Sequence, residues 1–441
     1  MAGFTRREFG TLTFSGLALG LAGCASGGGG ATTSTPSQGQ SSAVDWNAKG
    51  PINYAQGKDI SGYVDTLLTQ WNTAHPDQKV TLIELAADAD AQRASMIANA
   101  QAKGASGYDV IGTDVVWTSE FAANGWIVEL PRDQFPTSGF LKSSLDTGIY
   151  FNRLYAIPQM ANGALLFYRK DLLTQVGLTE PPTTWAGMAD AGRKVKALPG
   201  MASMSTYGGQ FQKYEGLTCN AAEWINSAGG DFLTADGAPA VNSDAALRGM
   251  TALQGYFKDG TISTDALTWK EEESRVAFMD GKLLFLRNWP YVYSLAEKTD
   301  GSSKINGKFG ITLLPGLTGP GVSTLGGLNM AIPPTAKNPG TCRDFITWWT
   351  APEQQKIMVQ KSSSPPTVEA LYNDADLNTA FPYLAPLAKS IAGGRARPKV
   401  VKYGDTTLAI QDAVYNIIGH AADPKTTLDQ LQQQLTTLVG K

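Results

Sequence analysis

The chain has 441 residues, of which 42 % are hydrophobic and 17 % charged, and its formal net charge is −3. This composition excludes a disordered chain, and the near-neutral charge excludes a basic face large enough for nucleic acid. The length is too great for one ordinary core, so we expect two domains. With two histidines and no zinc-type ligand spacing, we expect neither a metal nor another cofactor.

The first 23 residues are typical of an export signal. Thr5-Arg6-Arg7-Glu8-Phe9 precedes a weakly apolar run, Thr11–Gly23, that is too short to span a bilayer. The run ends in Leu21-Ala22-Gly23-Cys24, which resembles the lipobox of bacterial lipoproteins, and this resemblance implies acylation of Cys24. The arginine pair resembles a twin-arginine signal; an ordinary secretory signal or a chance pair are the alternatives. We therefore expect a lipid anchor on the extracytoplasmic face of the cell membrane.

The segment after the predicted signal peptide lacks the means to form a core. It carries no charge up to Val44 and is rich in Gly, Ser, Thr and Gln. Such a composition predicts a flexible tether, to which we assign residues 24–46.

The next segments alternate between strand and helix patterns. The predicted order is a strand at Pro51–Ala55, a helix through Tyr63–Trp71, a strand at Lys79–Leu85, a helix at Ala91–Lys103 and a strand at Tyr108–Asp114. This order favours a mostly parallel sheet covered by helices. Ligands of such sheets bind beyond the carboxyl ends of the strands, which is where Asp114 falls.

The remainder is predicted to mix strands and helices without an internal repeat. Strands are expected at Ala164–Tyr168, Leu283–Leu286 and Phe309–Leu313, and Gly326–Ile332 is expected to be a turn that enters a strand. Thr184 is a candidate N-cap for the helix that begins at Trp185. Cys219 and Cys342 are compatible either with a disulfide or with two free thiols.

Several short segments carry a family resemblance in a fixed order. They are Tyr108–Ile111 with Asp114–Trp117, Tyr155–Pro158, Leu165–Leu173, Pro182–Trp185, Glu271-Glu272 with Phe278 and Gly281, Asn288–Tyr291, Gly326-Gly327 and Arg397-Pro398. This set, which covers the mature chain, is similar to the family 1 extracellular solute-binding proteins, the sugar-binding subunits of ABC importers. Within that family it most resembles the trehalose- and maltose-type disaccharide binders of actinobacteria.

The resemblance implies an α/β, two-lobe periplasmic-binding-protein-like fold with discontinuous domains and a hinge. Lobe one would comprise residues 47–157 and 313–350, and lobe two residues 158–312 and 351–441. The resemblance also implies a monomer without enzymatic activity that delivers a small carbohydrate to permease subunits, which a cytoplasmic ATPase drives.

A sugar offers hydroxyl groups and apolar ring faces, so its site needs fixed polar groups and flat aromatic rings. Carboxylate, amide and guanidinium groups suit the hydroxyls, and the glycine pair permits close approach of the backbone. The resemblance places such groups in the cleft at Asp114, Asn162, Glu271, Trp289, Tyr291, Gly326, Gly327 and Arg397.

Each candidate also has a structural interpretation. Asp114 would cap a helix, Asn162 would form a hinge turn, and Trp289 would pack in a core. The run Glu271–Glu273 would begin a helix, the glycine pair would make a tight turn, and Arg397 would lie on the surface.

Two other functions fit parts of the pattern. A glycoside hydrolase would use two carboxylates, for which Asp114 and Glu271 are the candidates. A receptor for a polyamine, a sugar phosphate or a peptide would share the fold and differ in the charge of its cleft. The loop from Gln56 to Asp59 departs from the trehalose-type pattern, so the identity of the sugar stays open.

Overall fold

The computed structural model describes residues 44–439. The predicted signal peptide, Cys24 and the tether up to Ala43 lie outside the described residues. Along residues 44–439, none of the helices combines the length and the apolar character that crossing a bilayer requires.

Strands and helices alternate along the chain. The strands are β1 (Ile52–Gly57), β2 (Val80–Leu85), β3 (Val110–Asp114), β4 (Ile149–Tyr150), β5 (Arg153–Leu154), β6 (Ala156–Gly163), β7 (Leu165–Arg169), β8 (Ser205–Gly208), β9 (Leu283–Asn288), β10 (Phe309–Thr312), β11 (Thr324–Ala331) and β12 (Arg395–Ala396). The α-helices are α1 (Tyr63–Ala74), α2 (Ala89–Gln101), α3 (Thr118–Ala123), α4 (Lys142–Leu145), α5 (Lys170–Gln175), α6 (Trp185–Lys196), α7 (Glu215–Ser227), α8 (Asp244–Lys258), α9 (Glu271–Met279), α10 (Val292–Ala296), α11 (Pro339–Trp349), α12 (Pro352–Ser362), α13 (Ala375–Ala380), α14 (Leu384–Ala392), α15 (Tyr403–Gly419) and α16 (Pro424–Val439).

The first sheet has the order β12-β11-β3-β1-β2, and β6 also pairs with β11. Strand β1 runs parallel to β2 and β3, as the βαβαβ pattern predicts. Strand β11 returns antiparallel to both β3 and β6. The carboxyl ends of β1, β2 and β3 therefore meet at one edge of the sheet, which is where ligands of parallel sheets bind.

The second sheet has the order β10-β7-β9-β8. Its central strand β9 is buried at every position, and it runs antiparallel to β7 and parallel to β8. Strand β9 thus reads as a continuous apolar run up to Arg287, as expected for a strand covered on both faces.

Each sheet is the centre of one α/β lobe. Tyr54 and Val110 pack in an apolar cluster with helices α1 and α11 around the first sheet. Leu166 and Phe285 pack with α7, α8 and α15 around the second. The chain passes from the first sheet to the second at Ala164 and returns before β11, so both lobes are discontinuous, as predicted.

The structure refines several sequence predictions. Gly326 and Gly327 lie inside strand β11, so the predicted turn at this position is wrong. Thr184 caps α6 by accepting a hydrogen bond from the Gly187 backbone at 3.1 Å, as predicted. Both remaining cysteines are buried free thiols; Cys342 packs in the cluster around the first sheet, and Cys219 lies on α7 of the second lobe.

The predicted lobe boundaries remain a prediction. Strand β6 stays in the first sheet up to Gly163, six residues past the predicted boundary after residue 157. Strand β12 also pairs in the first sheet, within the range assigned to lobe two. The first departure comes from the length of β6, which continues past the predicted boundary, and the second from β12, a two-residue strand that is too short to show periodicity.

Candidate functional site

Two adjoining cavities lie between the lobes. We call the larger one, of about 500 Å³, the large chamber, and the other, of about 200 Å³, the small chamber. Residues that line both chambers include Met160, Asn162, Glu271, Trp289 and Leu328. The two chambers therefore form one continuous cleft, whose walls come from both sheets.

The two lobes supply different kinds of wall. The first lobe contributes the segments that follow β1 and β2, the last residue of β3, and the middle of β6 and β11. The second lobe contributes the first turns of α7 and α9 together with the residues that follow β9. Strand ends thus face helix N-termini, whose backbone amides carry partial positive charge.

Trp289 follows directly after the buried strand β9 and lines both chambers. The guanidinium carbon of Arg287 lies 4.1 Å from the centroid of the Trp289 ring, a cation–π contact that occupies one side of the ring. The Trp289 residue is half-buried. Its backbone amide donates a hydrogen bond to the side-chain oxygen of Asn288 at 2.7 Å. This local bond turns the chain out of the sheet and directs Trp289 into the cleft.

Glu271 is the first residue of α9 and lines both chambers. Its carboxylate accepts a hydrogen bond from the Tyr214 hydroxyl at 2.6 Å, and its backbone carbonyl accepts from Asn288 at 3.1 Å. Burial raises the pKa of the Glu271 carboxyl, and hydrogen bonds from Tyr214 and Trp289 act in the opposite direction. The carboxylate is therefore a partly desolvated acceptor at the junction of the chambers.

Tyr291 and the neighbouring carboxylates border the large chamber. The Tyr291 hydroxyl donates to Glu272 at 2.7 Å, and Glu272 also pairs with Arg275 at 2.6 Å. Glu273 accepts the backbone amide of Lys270 at 3.0 Å, which is the carboxylate half of a capping box at the start of α9. Of the three consecutive glutamates, two thus hold local structure.

Asn162 and the glycine pair bring two strands close to the ligand space. Asn162 on β6 is half-buried and pairs in register with Gly326 on β11. A Cβ atom on Gly326 would lie 3.1 Å from the Trp289 ring, and one on Gly327, where φ is 129°, would lie 2.0 Å from the Met160 carbonyl oxygen. Glycine at these two positions thus lets the Trp289 ring and strand β6 approach β11 closely.

A buried charge network lines the small chamber. Arg397 donates from Nη2 to Asp114 at 2.6 Å and from Nη1 to Glu215 at 2.5 Å. Glu215 also accepts from the hydroxyls of Tyr403 and Thr407. Asp114 ends β3 of the first sheet, and Glu215 begins α7 of the second lobe. Arg397 therefore joins the two lobes beside the cleft, and the predicted surface position for Arg397 is excluded.

A second ion pair joins the lobes at the large chamber. The Lys270 ammonium contacts the Asp88 carboxylate, and each residue occupies the N-cap position of its own helix, α9 and α2. The ammonium also lies 5.1 Å from the centroid of the Tyr214 ring. Nearby, burial and the charges of Glu215 and Asp88 raise the pKa of Asp90 to about 6.

All eight residues that the sequence placed in the cleft line one or both chambers. Their part in ligand binding remains a prediction. Asp114 does not cap a helix, since the N-cap of α3 is Trp117. The interpretation of Trp289 as a residue enclosed in a core does not fit its half-buried position at the cleft.

Sequence reasoning missed Glu215, Asp88 and Lys270, which form the ion pairs of the cleft. A signal existed only for Asp88, which precedes an Ala-rich helix and reads as an N-cap. In the loop from Gln56 to Asp59, Asp59 accepts the Val64 backbone amide at 3.0 Å and so fixes the start of α1. Gln56 is buried and accepts from Gln159 at 3.0 Å.

A family model and a bacterial relative both identify the family of this chain. The family described as "Bacterial extracellular solute-binding protein" matches residues 66–382. A "Probable ABC transporter-binding protein" of Deinococcus radiodurans is 32 % identical over 372 residues, which cover 82 % of this chain and 87 % of the relative.

Solved structures share the fold over nearly the whole described chain. Maltose-bound MalE3 of T. maritima superposes with a TM-score of 0.82 at 26 % identity, covering 88 % of this chain and 99 % of that one. UgpB of Mycobacterium tuberculosis, solved with glycerophosphocholine, superposes with a TM-score of 0.75 at 18 % identity over 88 % of this chain and 98 % of its own. The second likeness concerns the fold alone.

Proposed function

Because this chain belongs to the bacterial extracellular solute-binding proteins of ABC importers, we propose that its cleft captures a small neutral carbohydrate and delivers it to a permease. The best-fitting class is an α-linked disaccharide. The cleft closes on the sugar, the closed form docks on the permease, and the sugar passes into the translocation path. The chain itself performs no bond cleavage.

The observation that carries this proposal is the pairing of charges within the cleft. Arg397 is paired with Asp114 and Glu215, and Lys270 is paired with Asp88, so Lys58 after β1 is the one cation among the described lining residues that makes no ion pair. A phosphate ester is best held by several cations that are not already paired, and a polyamine by several carboxylates that are not engaged elsewhere. A neutral polyhydroxyl ligand needs neither, because its hydroxyl groups can bond to polar groups that already have partners.

The aromatic and polar surfaces match a sugar in kind and in size. One side of the Trp289 ring is held by Arg287, which leaves the other for the apolar face of a sugar ring. Glu271 and Asn162 stand beside Trp289 as an acceptor and a mixed donor–acceptor. The large chamber, at about 500 Å³, lies within the roughly 300–1,000 Å³ common for small-molecule sites.

The same proposal includes the place of the protein in the cell. An extracytoplasmic receptor must stay near its permease, and acylation of Cys24 would achieve this with the tether that the sequence predicts. Export by the twin-arginine route is part of the proposal, from the Arg6-Arg7 pair. Replacing Cys24 by alanine should release the protein from membranes, as measured by fractionation.

The direct test is a thermal-shift panel on the chain from Val44 onward, which forms one compact unit. A ligand that binds only the folded state stabilises it by about 2.7 kcal/mol at a hundredfold excess over Kd. We expect a clear rise in Tm with one α-linked disaccharide and little change with its component monosaccharides. The Trp289→Ala variant should lose that rise.

Two results would contradict the proposal. A rise in Tm with glycerophosphodiesters or polyamines, and with no sugar, would assign the cleft to a charged solute. Release of reducing sugar from a bound disaccharide would instead support the hypothesis that the protein is a glycoside hydrolase. The pairing of Asp114 with Arg397 keeps Asp114 from protonating a leaving group, so a hydrolase would have to use Glu271, whose pKa is raised by burial, as its acid.

A further inference from the structure

A short hairpin presents the most exposed of the large apolar side chains in residues 44–439. Strands β4 and β5 are joined by Phe151 and Asn152, whose φ angles are 44° and 61°. Two positive φ angles suit a turn that normally contains Asn-Gly, and phenylalanine is disfavoured there. The Phe151 side chain is 79 % exposed. Folding alone gives no reason for phenylalanine at this position, so we sought a reason in what the tip contacts.

The hairpin shares its base with the place where the chain enters the folded unit. The Leu130 backbone amide donates to the Leu154 carbonyl at 2.7 Å, which joins the hairpin to the segment 130–135. At the other end of that segment, the rings of Phe135 and Trp46 meet edge to face at 5.6 Å. One apolar cluster contains all the residues that make this connection: Trp46, Leu130, Phe135, Ile149 and Leu154.

This position matters because of what precedes Val44. The proposed lipid anchor, Cys24, lies about twenty residues before Val44, and a chain of that length rich in Gly and Ser has a root-mean-square reach of about 25 Å. A tether of this length would let Trp46, and with it the base of the hairpin, come within reach of the bilayer. The tip of the hairpin could then contact the lipid.

The chemistry around the tip suits a lipid interface. No acidic residue occurs from Thr147 to Ala156, and the exposed Asp133 and Asp146 lie outside this range. The exposed side chains of Arg132 and Arg153 flank the tip, with Arg132 donating to the Asn152 carbonyl at 3.4 Å and Arg153 pairing with Glu129 at 3.2 Å. Arginine reaches lipid headgroups from such positions.

Two tyrosines complete an aromatic group at the tip. The Tyr150 ring contacts the Phe151 ring at 4.5 Å and the Tyr155 ring at 6.2 Å, and both tyrosines are half-buried. Tyrosine is enriched at the boundary between water and hydrocarbon. The tip thus combines the exposed apolar side chain of Phe151, two neighbouring tyrosine rings and two flanking arginines.

We propose that the Phe151 tip inserts into the interfacial region of the lipid leaflet to which Cys24 is attached. The proposal rests on the lipid anchor of the proposed function. One phenylalanine binds lipid weakly, but the tether raises its effective concentration at the membrane, so the inserted state is populated. The insertion would fix the orientation of the domain, and therefore of its cleft, relative to the permease.

The test uses the full lipidated chain in vesicles of phosphatidylethanolamine and phosphatidylglycerol. Phe151→Cys is labelled with an environment-sensitive fluorophore, and Leu408→Cys, another exposed apolar position (51 %), is the matched control. Labelled wild-type protein measures the background from the buried thiols Cys219 and Cys342. Spin-labelled lipids should quench the label at 151 several-fold more than the label at 408, with a blue shift only at 151.

The contrary results are distinct. Equal quenching at 151 and 408 in protein that floats with the vesicles would overturn insertion while leaving the anchor intact. Failure of the wild-type chain to float would remove the anchor and the insertion together. Burial of the 151 label only after purified permease is added would assign the tip to the permease and overturn the membrane contact.

Discussion

The two chambers of the cleft use the same two lobes, yet their polar groups differ in what they already bond. In the small chamber, Arg397, Asp114 and Glu215 pair with one another and are nearly withdrawn from solvent, and the Arg397 Nε has no hydrogen-bond partner. In the large chamber, Trp289 and Asn162 are half-buried beside open volume. The small chamber is suited to holding the two lobes together, and the large chamber is suited to contacting the ligand. The sequence pattern alone does not distinguish these two roles.

This comparison changes the interpretation of two predicted ligand residues. Asp114 and Arg397 both line the small chamber, but each is engaged with the other. We infer that they act mainly as positioning residues, whose loss lowers the stability of the closed arrangement. Trp289 and Glu271 are expected to carry most of the discrimination between ligands. Substitutions on the two sides of this division should therefore differ in whether they change stability or affinity.

The largest effect is expected for Arg397→Met. This change leaves Asp114 and Glu215 buried without their shared cation, and breaking a buried pair in this way costs about 3–5 kcal/mol. We expect the free energy of unfolding in urea to fall by that amount. Arg395→Met is the matched control, since Arg395 makes an exposed ion pair with Asp231 at 3.2 Å that is worth under about 1 kcal/mol.

An Arg397→Met variant with unchanged stability and abolished ligand binding would reverse the assignment. Arg397 would then be a direct ligand contact, as the family resemblance first implied. Equal loss of stability in the two arginine variants would instead show that the buried network has no special weight.

The next effect is expected for Trp289→Ala, on affinity. Removing an aromatic anchor from a binding site costs about 2–4 kcal/mol, which raises Kd by about 30- to 1,000-fold. Calorimetric titration with the disaccharide found in the thermal-shift panel measures this change. Trp348→Ala is the control, because Trp348 is half-buried against the first-lobe core and does not line either chamber.

The Tm of the Trp289→Ala variant shows whether a loss of binding comes from the missing ring or from unfolding. The ring covers Arg287, which is paired with Glu223 inside the second lobe. A small decrease in Tm is therefore expected. Unfolding of the variant at room temperature would instead mean that Trp289 acts as a core residue, and the stacking assignment would be lost.

Glu271→Gln should move affinity and stability in opposite directions. Loss of a charge-assisted hydrogen bond costs about 1.5–3 kcal/mol in binding, which raises Kd by about 10- to 150-fold. Because burial raises the pKa of Glu271 above 4.5, the ionised form opposes folding. The contribution of Glu271 to stability is then largest at acid pH and is lost as the pH rises through the raised pKa.

The variant should therefore gain stability over the wild type at pH 7.5 and show no such gain at pH 4, as measured by urea unfolding at both pH values. Glu369→Gln, at an exposed position, is the control and should change neither property. A Glu271→Gln variant that is destabilised at pH 7.5 would mean that the carboxylate holds local structure, as Glu272 and Glu273 do.

Much of this architecture follows from local sequence, and the division between the chambers does not. The βαβαβ pattern predicted the sheet edge at Asp114 because strands and helices have different apolar periods. The Gly326-Gly327 pair was misread as a turn, because glycine marks both turns and close approach of strands. The partners of Arg397 lie 182 and 283 residues away along the chain, and no local pattern encodes such a meeting.

The smallest effect is expected for the ion pair that spans the large chamber. Lys270 and Asp88 cap helices on opposite lobes, so the attraction between them favours the closed arrangement. Although burial acts against it, the hydrogen bond from Lys270 lowers the pKa of Asp88, and the pair stays ionised down to acid pH. The side chains are 32 % and 21 % exposed, so solvent screens the pair and its worth stays below about 1 kcal/mol.

Lys270→Gln should therefore leave the ligand association rate nearly unchanged and raise the dissociation rate up to about fivefold, as followed by stopped-flow fluorescence of the cleft tryptophan. The difference from the wild type should vanish at 1 M salt, where the screening length falls to about 3 Å. Lys282→Gln, which removes an exposed pair with Asp280, is the control. An unchanged dissociation rate with unchanged salt dependence would mean that closure rests on the buried Arg397 network and on the ligand, without a measurable part for the Lys270–Asp88 pair.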